Sequence, residues 1–154
     1  MALTKLNNQS LSAVTTAGIP IRSGSVLQAI TAEKTGIYDA TTSLADVGLS
    51  AAITPSSSNS KILILHSAPC ISTATQDVIT VLLRGSTIIY NFNLYGTSSS
   101  WDSAPNTFSY LDSPATTSAI TYKIQAKKGT GTYYYNYTNG VASQATLTLM
   151  EIAG

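Results

Sequence analysis

The chain has 154 residues and a mass of 16.1 kDa, which is one domain of ordinary size and leaves no room for a second catalytic unit. Only 10% of residues are charged, against about 25% in soluble proteins at large, while 44% are hydrophobic. Eight Lys and Arg against seven Asp and Glu leave a net charge of +1, too weak a field to hold a polyanion, so nucleic acid is excluded as a partner.

What replaces charge is hydroxyl: 21 Ser and 22 Thr make up more than a quarter of the chain, alongside 9 Tyr and 10 Gly. Thr and Tyr suit a pleated surface, and Gly and Ser suit turns, so the composition predicts a β-protein. The single cysteine, Cys70, excludes an internal disulfide and a multi-cysteine zinc site. The opening residues contain no continuous apolar stretch of signal-peptide length, and no segment approaches 18 apolar residues. Neither secretion by a leader nor membrane insertion is expected.

From Met1 to Ser23 the residues are small and polar, and Pro20 biases Ile19 towards extended geometry. Residues 1–23 read as an extended arm that docks on a neighbour, with Leu3, Leu6, Leu11 and Val14 as its apolar contacts. Residues 24–154 then alternate short apolar runs with turn clusters, the pattern of an antiparallel sandwich or barrel. The expected strands are Ser25 to Thr31, a weak Gly36 to Asp39, Ala51 to Thr54, Lys61 to Ala68 and Asp77 to Arg84. They continue with Thr87 to Tyr95, Thr107 to Leu111, Ala119 to Lys127, Thr132 to Thr138 and Gln144 to Ile152. Gly85-Ser86 and Gly129-Thr130-Gly131 read as hairpin turns.

The two-residue period assigns faces. In Ala119 to Lys127, Ile120, Tyr122, Ile124 and Ala126 share one side and Thr121, Lys123, Gln125 and Lys127 the wet other. In Lys61 to Ala68, Ile62 and Ile64 point one way and Leu63 and Leu65 the other, so both faces need cover. Asp77 to Arg84 is intermediate. A two-layer sandwich covers only one face of each sheet, and the expected extra cover is another subunit.

Residues with chemical capacity are few. The lone His66 lies in the doubly apolar run and reads as a satisfied core or interface histidine, and Cys70 as a buried small hydrophobe. The carboxylates Glu33, Asp39, Asp46, Asp77, Asp102, Asp112 and Glu151 form no calcium loop and no zinc-protease motif. No catalytic residue, metal or cofactor is expected. The best contact candidates are Tyr133, Tyr135 and Tyr137, which a continuous strand places on one face, and Trp101 in the loop Gly96 to Ser103. Exposed, these rings could stack on sugars or anchor a protein; buried, they fill the core or a subunit interface.

Several phrases carry a family resemblance: Leu3 to Leu11 (LTKLNNQSL), Gly24 to Gln28 (GSVLQ), Ile53 to Ser58 running into Ser60 to Leu63, Leu83 to Thr87 (LRGST), Tyr110 to Pro114 (YLDSP) and Thr148 to Gly154 (TLMEIAG). Together they resemble small virion-associated structural proteins of marine and freshwater phages, cyanophages included. That resemblance implies an all-β, antiparallel jelly-roll-like β-sandwich of about eight main strands, assembled as a homotrimer. It also implies a place on the surface of a phage particle put together in the host cytoplasm, and a non-enzymatic role. The expected role is a capsid decoration or cement protein whose arm binds the major capsid protein or other virion proteins. The alternative is a tail-fibre or adhesin head that binds host surface glycans.

Overall fold

A computed structural model describes residues 22–73, 78–94, 102–103, 105–138 and 140–154. The strands are β1 (Val26–Lys34), β2 (Tyr38–Asp39), β3 (Ala45–Ile53), β4 (Lys61–Ala68), β5 (Cys70–Ser72), β6 (Val78–Arg84) and β7 (Thr87–Leu94). They continue as β8 (Asp102–Ser103), β9 (Asn106–Asp112), β10 (Ile120–Lys127), β11 (Tyr133–Tyr135), β12 (Tyr137–Thr138), β13 (Val141–Ala142) and β14 (Ala145–Ile152). One four-stranded sheet has the order β1-β14-β4-β9 and a second β3-β10-β6-β7, and every pairing is antiparallel. A small sheet, β2-β11-β5-β8, lies at the end where β1 and β4 run out, and β12-β13 form a short ribbon.

Alternation puts the core between the two large sheets. The register across the first sheet sets Ile30, Leu149, Ile64 and Tyr110 in one inward row and Ala32, Leu147, His66 and Phe108 in the next. From the second sheet come Val47, Leu49, Ala51 and Ile53, then Tyr122, Ile124 and Ala126, then Val78, Thr80 and Leu82, all buried. The expected faces of β4 and β10 hold. On β6 both faces are covered, since Val81 and Leu83 on its outer side are only 2% and 4% exposed between Lys123 and Gln125 of β10 and Ile88 and Asn91 of β7. Where β7 and β9 end the two sheets on the same side, they share no ladder; rings close the gap instead, with Tyr90 stacked obliquely 4.9 Å from Phe108 and 5.5 Å from Tyr110.

Four sequence expectations need correction. β3 begins at Ala45, not Ala51, because Gly48 does not break the strand: its φ of +82° lets Val47–Leu49 bulge opposite Ile124 while Val47 and Leu49 both stay inside. The run Thr132 to Thr138 is not one strand but two, divided at Asn136, whose φ is +63°. Gly129-Thr130-Gly131 is no hairpin turn, because β10 pairs with β3 and β6 while β11 pairs with β2 and β5; the segment crosses between sheets. The two- and three-residue strands β5, β8 and β13 had no apolar period long enough to read. Gly85-Ser86, by contrast, is the expected tight turn between β6 and β7, with Gly85 at φ +61°.

The register makes a paired prediction on adjacent residues of β4. Ile64→Ala, in the core, costs about 3 kcal/mol of unfolding free energy, and Leu65→Ala, on the outer face, under about 1 kcal/mol in the isolated subunit. Urea titration of the two variants checks it; equal losses refute the register.

Candidate functional site

Of the residues singled out from the sequence, Trp101 and the arm positions Leu3, Leu6, Leu11 and Val14 lie outside the described residues. Tyr133 and Tyr135 are fully buried and so offer no stacking surface. They sit on the inward face of the small sheet, opposite Ser72 and Cys70, and their hydroxyls reach the end of the sandwich core. The left-handed turn at Asn136 takes Tyr137 off that row. Tyr137 is instead half-buried, its ring 5.2 Å from that of Tyr134, which the sequence had placed on the opposite face from Tyr137. Asn136 itself is buried and donates from Nδ2 to the carbonyls of Lys34 (2.7 Å) and Gly36 (3.2 Å), which closes the Asn136-Tyr137-Thr138 sequon to modification in the folded chain.

The groups able to do acid–base or nucleophilic chemistry are held by structural partners. His66, 2% exposed, donates from Nδ1 to the Thr146 carbonyl (3.0 Å), which leaves Nε2 of the neutral ring to accept from the Tyr135 hydroxyl (3.3 Å). Burial lowers its pKa to about 4, and the hydrogen bond to Thr146 only partly offsets this. Burial likewise pushes the Cys70 thiol up, away from the reactive thiolate. Asn106 Nδ2 donates to Thr80 Oγ1 (2.5 Å) and lies 3.5 Å from the Tyr133 hydroxyl.

Two buried carboxylates occupy the same inward row at the opposite end of the sandwich, on either side of Ile62. Asp112 accepts from Arg84 Nη1 at both oxygens (3.0 Å each) and from the Tyr122 hydroxyl (2.7 Å). Glu151, with no cation beside it, accepts from the Ser56 backbone N–H (2.7 Å), Ser56 Oγ (2.6 Å) and Gln28 Nε2 (2.7 Å). Desolvation raises its pKa, but these hydrogen bonds outweigh it and bring the value down to about 2. No group of three His, Cys, Asp or Glu among the described residues could hold a metal ion.

What the structure does leave exposed is apolar. The outer face of β1-β14-β4-β9 carries Leu65, Leu111 and Val26 at 38%, 50% and 57% exposure, with Leu63, Met150 and Ile152 partly exposed among them. Leu111, Leu63, Met150 and Ala29 form one row straight across the four strands. Towards the small sheet the same face becomes a hydroxyl surface, with Thr31 and Thr148 hydrogen-bonded at 2.9 Å and a shallow depression of about 570 Å³ lined by Leu65, Ser67, Thr107, Ser109, Thr146 and Thr148. The doubly apolar run Lys61 to Ala68 was the sequence signal for this face. Leu111 is the one large apolar outward residue of β9, and Met150 shares the outward face of β14 with two threonines as well as Ile152, so both went unread until the register lined them up with Leu63.

Stability falls in acid in two stages. Unfolded His66 titrates near 6.5 and folded His66 near 4, so protonation favours the unfolded chain, and up to about 3 kcal/mol is lost as pH drops through that interval. Glu151 stabilises the fold above the ordinary carboxylate value of 4.5, and its contribution disappears as pH falls towards 2. Urea midpoints measured from pH 7 to 2 should show both, with the upper stage flattened in His66→Gln and the lower one in Glu151→Gln.

No protein-family model matches the chain, and no curated protein matches it. Among solved structures, it is similar to that of infectious bursal disease virus Gt strain, with a TM-score of 0.40 and 13% identity over 86% of this chain and 39% of that one. It is similar also to infectious bursal disease virus Gx strain, with a TM-score of 0.31 and 15% identity over 84% of this chain and 39% of that one. The chain therefore spans well under half the length of either.

Proposed function

We propose that this chain is a non-enzymatic structural protein of a phage particle, a decoration or cement protein on the head shell. The observation that carries the reading is the strand order. The eight long strands, taken as β1, β3, β4, β6, β7, β9, β10 and β14, alternate between sheets ordered first-eighth-third-sixth and second-seventh-fourth-fifth. That order supports reading the sandwich as a jelly roll, an architecture recurrent in viral shells and lectin domains. Fold alone does not give function, and two further observations support the role. The catalytically capable side chains His66, Asp112 and Glu151 are bound up in structural hydrogen bonds, and the outer face of the first sheet exposes apolar and hydroxyl side chains suited to protein contact. Self-association, expected from the sequence as a homotrimer, belongs to this reading, as does anchoring by residues 1–23.

A second reading, a fibre or adhesin head that binds host glycans, draws on the half-buried pair of Tyr134 on the small sheet and Tyr137 on the β12-β13 ribbon, and on Trp101, which directly precedes β8 of the small sheet in the sequence.

Deletion of residues 1–23 separates the two. For a decoration protein, the shortened chain keeps its circular-dichroism spectrum and loses binding to purified shells. For a fibre head, shell composition is unchanged and adsorption to cells is lost, and Tyr137→Ala or Trp101→Ala abolishes binding on a glycan array. A shortened chain that still binds shells overturns the arm as the anchor.

A further inference from the structure

We propose that the outer face of the β1-β14-β4-β9 sheet is where two copies of this chain meet, about a two-fold axis that crosses β14 between Thr148 and Met150 and sets Lys61 of each copy against Glu33 of the other. The inference rests on the self-association in the reading above, and not on the phage particle.

Charge placement identifies the occupant. On the paired strands, this face carries two charged side chains, Lys61 and Glu33; both are exposed, and neither has an ion-pair partner among the described residues. They stand at opposite corners. Lys61 is level with Ile152 and Val26 at one end, and Glu33 is level with Thr146 and Ser67 at the other, two strands away. Six residues at about 3.3 Å and two strand spacings at about 4.8 Å separate them by roughly 20 Å along the strands and 10 Å across. The midpoint of that diagonal falls on β14, between Thr148 and Met150. An in-plane two-fold through that point exchanges the two corners, so one rotation makes two Lys61–Glu33 pairs.

The same rotation settles the apolar residues. Leu65 lies close to the axis and meets its own mate, and Leu63 of one copy comes over the Thr148 region of the other. The Lys61 ammonium and Glu33 carboxylate fall at the rim, where charges set register and orientation more than affinity. A three-fold running along the strands keeps every residue at its own height, which leaves Lys61 and Glu33 about 20 Å apart. The contact is thus two-fold, and a trimer needs other surfaces. The face measures roughly 19 Å by 20 Å, smaller than the standard specific contact, so the association is weak and transient.

Sedimentation equilibrium of the full chain across a concentration series up to about 1 mM tests this. The weight-average mass is expected to climb from 16.1 kDa towards twice that value. Lys61→Glu alone, or Glu33→Lys alone, should weaken association about tenfold, and the double reversal should restore it to within about threefold of the parent. Leu65→Glu should leave a monomer with an unchanged urea midpoint. A monomeric parent overturns this interface and self-association together. A parent that is trimeric, or a dimer indifferent to the charge reversals, overturns this interface alone, as does failure of the double reversal to restore what a single one weakened.

Discussion

The pairing of β14 with β1 on one side and β4 on the other is the constraint on which the other features depend. Side chains alternate with a period of two, so a slip of one residue in that register would turn Leu147, Leu149 and Glu151 outward and present Thr148, Met150 and Ile152 to the core. Every inward row of the first sheet passes through β14. The placement of His66 under Tyr135, of Glu151 under Ser56 and of the exposed leucines in one band all follow from it. The register is held by fully buried apolar residues along the strand and by a carboxylate near its end whose hydrogen bonds come from outside the first sheet as well as from β1.

Much of this was legible from the residues alone. Where apolar and polar positions alternate cleanly over eight residues, as in β10, both the strand and its inward face could be read; β4 was placed to the residue, but with apolar side chains on both faces its inward one stayed open. What escaped was set by backbone conformation rather than by side-chain period. Gly48 reads as a strand breaker, yet its left-handed backbone serves a bulge. Asn136 reads as one more strand residue, yet its left-handed turn splits a run of tyrosines and sends the outermost to a different surface. Cross-strand neighbours are likewise invisible in one dimension. Asp112, Arg84 and Tyr122 gave no sign of belonging together, being at or near the ends of three strands that only the fold assembles.

The tyrosine segment shows how composition and context divide the work. A row of phenols suits a sugar-binding surface and a sandwich interior alike, because the ring is apolar and the hydroxyl needs a partner. Here, polar groups already inside the core decide between them. His66 Nε2 needs a donor and the Asn106 amide lies beside a hydroxyl, and Tyr135 and Tyr133 stand at those two places. The small sheet therefore acts as an end-plug, with hydroxyls that match the polar atoms it covers.

The position of β14 in the chain has a consequence for how the molecule forms. The strand that lies between β1 and β4 is translated after both, with more than a hundred residues between Lys34 and its partner Ala145. Until β14 is made, the first sheet lacks an interior member, so β1 has no partner in it and β4 can pair only with β9. Closure must wait for the widest loop in the topology, which makes folding slow. During that wait the nascent chain exposes unpaired strands that carry few charges to keep them apart, the condition under which chaperones and neighbouring copies compete for the same edges.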